Sequence, residues 1–104
     1  MIEREINRAD YLILSSLYAY DCTDYYHSMT ISEIMDDNID ANGNQVLGAK
    51  MTVYRKLQRL VELGYISKGI KDDHADTYYL QDRSIKLLEI GGKKEWVYMK
   101  KYIS

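Results

Sequence analysis

Between Met51 and Ile66 the chain reads Met-Thr-Val-Tyr-Arg-Lys-Leu-Gln-Arg-Leu-Val-Glu-Leu-Gly-Tyr-Ile, and no other stretch narrows the possible folds as much. Wound at about 100° per residue, Val53, Leu57, Leu60 and Val61 share one stripe, while Thr52, Arg55 and Arg59 lie opposite with Lys56 at their edge. The segment is an amphipathic helix with a basic back. Gly64, just past the last apolar pair, is the residue type that closes a helix at positive φ, and Tyr65-Ile66 begins sequence of strand character. A helix therefore passes directly into a strand.

That strand opens a hairpin. Residues 65–70 and 77–80 read as strands around the polar segment 71–76, whose Asp-Asp-His-Ala-Asp tip carries three carboxylates. Upstream, Thr30-Ile-Ser-Glu33 has the form of a capping box, with Met29 and Ile34 placed as a hydrophobic staple, and predicts a short helix from Ile31 to about Asp37. Asn7 is placed to cap an earlier helix running to Tyr20, with Tyr11, Leu14, Leu17 and Tyr18 buried and Arg8, Asp10 and Ser15 facing out. Residues 21–28 have no clean period and read as a loop. The tyrosines around that loop, Tyr18, Tyr20, Tyr25 and Tyr26, fit packing or a dimer seam better than a ligand pocket. Residues 82–90 read as a helix capped by Asp82, with Ile85, Leu87 and Leu88 inward and Gly91-Gly92 ending it. Trp96, Met99 and Ile103 recur at helical spacing beyond it, although Glu-Trp-Val-Tyr-Met also suits a strand.

At 104 residues with 46% apolar side chains, the expectation is one α+β, mostly α domain over 1–104, with its core at about 7–90. No apolar run approaches the ~18 residues of a membrane span. The opening Met-Ile-Glu-Arg-Glu-Ile lacks the basic start and apolar middle of a signal peptide, so a cytoplasmic protein with no membrane partner is expected. Cys22 stands alone, which excludes an internal disulfide and a multi-cysteine zinc site and predicts a buried thiol. That thiol has no evident base, His27 and His74 fall in unrelated polar loops, and no glycine-rich phosphate loop occurs, so neither catalytic residues nor a cofactor are expected. Asn38-x-Asp40-x-Asn42-Gly43 has the form of the start of an EF-hand loop, but its twelfth position is Ala49 where a bidentate Glu is required. Nothing fixes ligand geometry around His74, Asp72, Asp73 and Asp76 either, and no metal is expected.

The formal net charge of −2 hides a sharp segregation. Residues 1–49 are net −7, residues 50–71 are net +5 with Glu62 their one acid, and residues 72–104 balance. An acidic body with one basic stripe suits docking on a polyanion by a single face.

Thr-Val-Tyr-Arg-Lys-Leu leading through Leu-Val-Glu-Leu-Gly-Tyr-Ile to a hairpin resembles the recognition helix and wing of winged helix-turn-helix DNA-binding proteins, nearest to the bacterial PadR and MarR regulator types. The resemblance covers about residues 30–90 and is most specific over 52–66. It implies a winged helix-turn-helix with a two-stranded β-hairpin wing, and a homodimeric regulator of transcription bound to double-stranded DNA. Arg55 and Arg59 would then face guanine edges, while Lys50, Thr52, Lys56, Lys68 and Lys71 meet phosphates, and Ser28 and Thr30 add hydroxyls beside the open N-terminus of the 31–37 helix. Terminal segments would form the dimer seam, with Tyr11, Tyr18, Trp96, Met99 and Ile103 in it. The acidic wing tip should be repelled from the minor groove. The segment 37–50 departs from the pattern, being longer than a three- or four-residue turn, and leaves the helix start open between Asn44 and Ala49. The same fold also serves centromere-binding adaptors of plasmid or phage partition, which coat repeats and recruit a protein partner. In a third reading, the domain binds proteins and never DNA.

Overall fold

Reciprocal caps begin the first two helices. In the computed structural model, which describes residues 6–91, helix α1 (Arg8–Ala19) starts at Asn7, whose side chain accepts from the Asp10 amide at 2.9 Å. The Asp10 carboxylate in turn accepts from the Asn7 amide at 3.2 Å. Strand β1 (Met29–Thr30) runs into α2 (Ile31–Asp36), where Thr30 and Glu33 form the capping box that the Thr-x-x-Glu spacing predicts. Met29 and Ile34 are both buried, as a staple requires.

The segment between α2 and the basic helix is folded tightly rather than left as a long loop. Asp40 accepts from the amides of Asn42 and Asn44, both at 2.9 Å, around Gly43 at φ +82°. The EF-hand-like spacing thus belongs to an Asx turn, in which backbone amides hold the carboxylate. Asn38, the first residue of that run, is buried, and its amide nitrogen donates to Ser16 Oγ and to the Ile34 carbonyl, both at 2.8 Å. It joins α1 to the end of α2.

Helix α3 (Lys50–Glu62) starts at the later of the two expected positions, with Ala49 as N-cap. Val53, Leu57 and Leu60 are fully buried, whereas Val61 is half-buried. Gly64 adopts φ +83°, the Tyr65 amide donates to Leu60 O at 3.0 Å, and the Gly64 amide donates to Val61 O at 3.1 Å, the paired bonds of a Schellman ending. The chain then enters β2 (Ile66–Lys68), which pairs antiparallel with β3 (Thr77–Leu80) in the register Ile66↔Leu80, Ser67↔Tyr79 and Lys68↔Tyr78.

The expected two-stranded wing gains a third strand, because β1 pairs with the other edge of β3 through Met29↔Tyr78 and Thr30↔Thr77. Two residues carry too little period to be read as a strand, and their partner lies 47 or more positions away. Gly69 permits the accompanying close approach, since a Cβ there would sit 2.6 Å from Ser28 Oγ and 2.7 Å from Tyr25 O. Helix α4 (Asp82–Lys86) has Gln81 rather than Asp82 at its N-cap position, without a side-chain cap, while Asp82 occupies its first turn, and the helix continues as a π-helical turn over Leu87–Gly91. Leu88 is buried, while Ile85 and Leu87 pack partly against the core. The core joins Ile13, Leu14 and Leu17 of α1 to Ile34, to the inner face of α3, and to Tyr65, Ile66, Tyr78 and Leu80.

Two positions on α1 overturn the expected pattern. Asp10 and Ser15 are buried, not facing out, because sheet and helices cover α1 on more than the one side that its apolar spacing marks. Tyr11 and Tyr18 are half-buried. Replacing Asn38 by Ala removes the donor shared by Ser16 and Ile34 and should cost about 1–3 kcal/mol of unfolding free energy, read as a lower urea midpoint. An unchanged midpoint would show that the clamp contributes nothing.

Candidate nucleic-acid interface

The burial of Val53, Leu57 and Leu60 points Arg55 away from the protein, and Thr52, Arg59, Met51 and Tyr54 are exposed around it. Gln58 donates to the Tyr54 hydroxyl at 2.6 Å one turn away. Met51, Tyr54 and Gln58 are the residues that attention to charge alone passes over. Their helical angles would have revealed them, since each stands well away from the buried stripe.

Two local features make the start of α3 electropositive. Ala49 offers no side chain to the first-turn amides, and Lys50 sits at the end of the helix where the dipole is already positive. A cation there costs several tenths of a kcal/mol unless an anion is near. At the other end, Arg83 Nη1 donates to Leu63 O at 2.6 Å and its guanidinium lies 4.1 Å from the centroid of the Tyr65 ring. Those contacts hold the C-terminus of α3 against α4.

The six cations expected on this surface separate into two groups. Lys50, Arg55 and Lys56 carry no ion pair among the described residues. The other three are bound to carboxylates of the same chain: Arg59 Nη1 to Asp10 Oδ2 at 3.1 Å, Lys68 Nζ to Asp76 Oδ2 at 3.3 Å, and Lys71 Nζ to Asp76 Oδ1 at 3.5 Å. The Asp10 carboxylate is 1% exposed and its Oδ1 has no hydrogen-bond partner, so Arg59 compensates a buried charge. Arg59 is thus not the equivalent of Arg55 that the helical wheel makes it.

Ser28 and Thr30 are occupied internally. Ser28 Oγ donates to Thr77 Oγ1 at 2.9 Å, and the Thr77 hydroxyl donates to Ile70 O. Thr30 is buried, its hydroxyl accepts from the Glu33 amide at 3.1 Å, and Glu33 takes the Thr30 amide. The capping box thereby uses two of the amides expected to face a phosphate at the start of α2. Trp96, Met99 and Ile103 lie outside the described residues.

A second feature lies apart from α3. An open groove of about 570 Å³ runs over Tyr20, Cys22, Tyr26, His27, Asp36 and Asp37. Tyr20, Tyr25 and Tyr26 are exposed rather than packed in the core, with Tyr25 and Tyr26 edge to face at 5.1 Å and the Tyr20 hydroxyl donating to Asp37 Oδ1 at 3.0 Å. The Cys22 thiol is buried as expected, and burial, followed by Glu33, Asp21 and Asp24, pushes it up to about 11, which leaves it protonated at neutral pH.

No protein-family model and no curated protein matches the sequence. Solved structures do. RosR of H. salinarum superposes with a TM-score of 0.65 over 97% of this chain and 81% of its own, at 19% identity. The transcriptional regulator Cth-833 of Clostridium thermocellum gives 0.60 over the whole of both chains at 23% identity. The fold is a winged helix. A DNA-binding TubR fragment from Clostridium botulinum is similar in the same way, with a TM-score of 0.59, 25% identity, and coverage of 81% of this chain and 94% of the fragment. The hairpin β2–β3 follows α3 directly, in the order in which the sequence reads.

The two groups of cations respond differently to removal. Arg55→Ala should leave the melting temperature unchanged. Arg59→Ala strands the Asp10 carboxylate and should cost roughly 1–3 kcal/mol, less than the ~3–5 of a fully buried pair because Arg59 is half exposed. In a melt that is a fall of at least ~4 °C. Equal melting temperatures for the two variants would contradict the assignment of Arg59 to Asp10.

Proposed function

We propose that this chain is a sequence-specific double-stranded DNA-binding regulator of transcription that reads the major groove with the outer face of α3. One observation carries the reading: among the described residues Lys50, Arg55 and Lys56 have no ion pair and surround a helix start without a side-chain cap, whereas the remaining α3 and wing cations are paired internally. A polyanion supplies what the helix end and Lys50 lack. Arg55, farthest from the buried stripe, faces base edges and fits a guanine; Gln58 beside it has the amide suited to adenine. Lys50, Thr52 and Lys56 flank it and meet phosphates, which fix the register without reading sequence. Arg59, held by Asp10, serves better as a backbone clamp than as a base reader. The likeness to the DNA-binding TubR fragment and to transcriptional regulators supports the same use of the fold.

The reading includes a two-fold dimer whose seam takes in Tyr11 and Tyr18 of α1 together with Trp96, Met99 and Ile103. Tyr11 and Tyr18 stay half exposed on α1, seven residues apart and so on one face. Tyr18 also donates to Glu89 Oε2 at 2.9 Å, which ties α1 to the turn leading into residues 92–104. Two recognition helices held at a spacing of ~34 Å read half-sites one helical turn apart, and the second site binds at high effective concentration.

Selection from genomic fragments identifies the cognate duplex. On it, Arg55→Ala should lose ~1–3 kcal/mol and relax preference at one base position, whereas Lys50→Ala should weaken all sequences alike and reduce the salt slope by about one. Unaltered binding by the Lys50→Ala, Arg55→Ala double variant would sink the reading. In sedimentation, Trp96→Ala should move the protein toward monomer and weaken the cognate complex. A wild type that sediments as a monomer would remove the seam while leaving the α3 surface standing.

A further inference from the structure

The wing's two lysines are held in a way that the charge count of the sequence does not suggest. Directly opposed residues of an antiparallel pair project to the same side, as do alternate residues along a strand. The register puts Ile66 and Lys68 of β2 on one face with Leu80 and Tyr78 of β3. Asp76 stands two residues before Tyr78 and so reaches the same side. Ile66, Tyr78 and Leu80 are buried, and where this face runs out of the core it carries Lys68 and Asp76 instead. The Tyr78 phenol is pushed up to about 12, first by burial and then by Asp76 and Tyr54.

The Asp76 carboxylate engages both lysines at once, Oδ2 toward Lys68 Nζ at 3.3 Å and Oδ1 toward Lys71 Nζ at 3.5 Å. A phosphodiester likewise presents a single negative charge shared over two oxygens. With Asp72 and Asp73 at the tip, the hairpin from Lys68 to Asp76 carries two lysines against three aspartates and is net negative. On an unoccupied wing its lysines therefore exert little pull on a polyanion.

We infer that Lys68 and Lys71 form a phosphate site on the wing that Asp76 fills in the absence of DNA, so that Asp76 competes with the DNA backbone and holds down sequence-independent binding. The inference rests on the DNA-binding reading above. Sequence-independent affinity comes almost wholly from phosphates neutralised by cations, each contributing ~0.9 to the slope of log K against log salt. A lysine retained by Asp76 contributes nothing to that slope until a phosphate displaces the carboxylate. Asp76→Asn keeps the shape and removes the competing charge. Asp73→Asn removes an equal charge from the tip without releasing a lysine, since no described ion pair includes Asp73.

Anisotropy titration of a random-sequence duplex over a salt series tests this, with thermal melts confirming that each variant is folded. Asp76→Asn should bind more tightly than the wild type and with a slope steeper by ~0.9–1.8, one to two further phosphates. Adding Lys68→Ala and Lys71→Ala to Asp76→Asn should abolish the gain, and Asp73→Asn should leave the slope as it was. A slope and affinity unchanged or lowered in Asp76→Asn, or an equal gain in Asp73→Asn, would overturn the inference while DNA binding stands. A wild type that binds no duplex even at low salt would overturn the DNA-binding reading and this inference with it.

Discussion

The outer face of α3 is only as well placed as its inner face is firmly buried. Val53, Leu57 and Leu60 are withdrawn from water entirely, and each contributes about 1.5–3 kcal/mol relative to exposure. Three anchors on one side of a 13-residue helix set its rotation about its own axis, and therefore which residues face outward. The Schellman ending at Gly64 and the Arg83 contacts to Leu63 and Tyr65 then fix the point at which the helix gives way to the wing.

Charge is distributed around that frame with a consistent logic. A chain of net charge −2 can approach a polyanion only if its cations are concentrated and its acids kept from the same surface. Here the acids do more than keep away. Asp10 binds Arg59 and Asp76 binds Lys68 and Lys71, which leaves Lys50, Arg55 and Lys56 in the first half of α3 without an ion pair among the described residues. Burying Asp10 with one oxygen unpartnered is costly, and the Arg59 guanidinium offsets part of that cost.

The loop and turn elements show how far short-range chemistry reaches. The cap at Asn7, the box at Thr30, the closing glycine at 64 and the hairpin over 65–80 are legible, because each depends on residues three to five apart or on an unbroken period, whereas the reciprocal bond from the Asn7 amide to Asp10 is seen only in the structure. Asn38 and Asp40 show where that stops. Their spacing matches the opening of a cation loop, yet one is a buried clamp between helices and the other the hub of an Asx turn. The same side-chain oxygens and amides serve either purpose, and only the surroundings decide.

By itself, the sequence determined the inner stripe of α3, the helix and hairpin that follow one another and the segregation of charge, since these arise from periodicity and local hydrogen bonding along the chain, while the fold entered through resemblance to winged helix-turn-helix proteins. Tertiary structure alone decided which cations are open to a ligand. Arg59 and Asp10 are 49 residues apart, and a helical wheel of α3 contains nothing of α1. The third strand at Met29–Thr30 and the internal hydrogen bonds of Ser28 arose in the same way, from partners 47 to 49 positions away that meet only when β3 is laid between the two flanking strands. A charged side chain's pairing is set by what comes within about 4 Å of it in space, and that distance is fixed by the packing of the core.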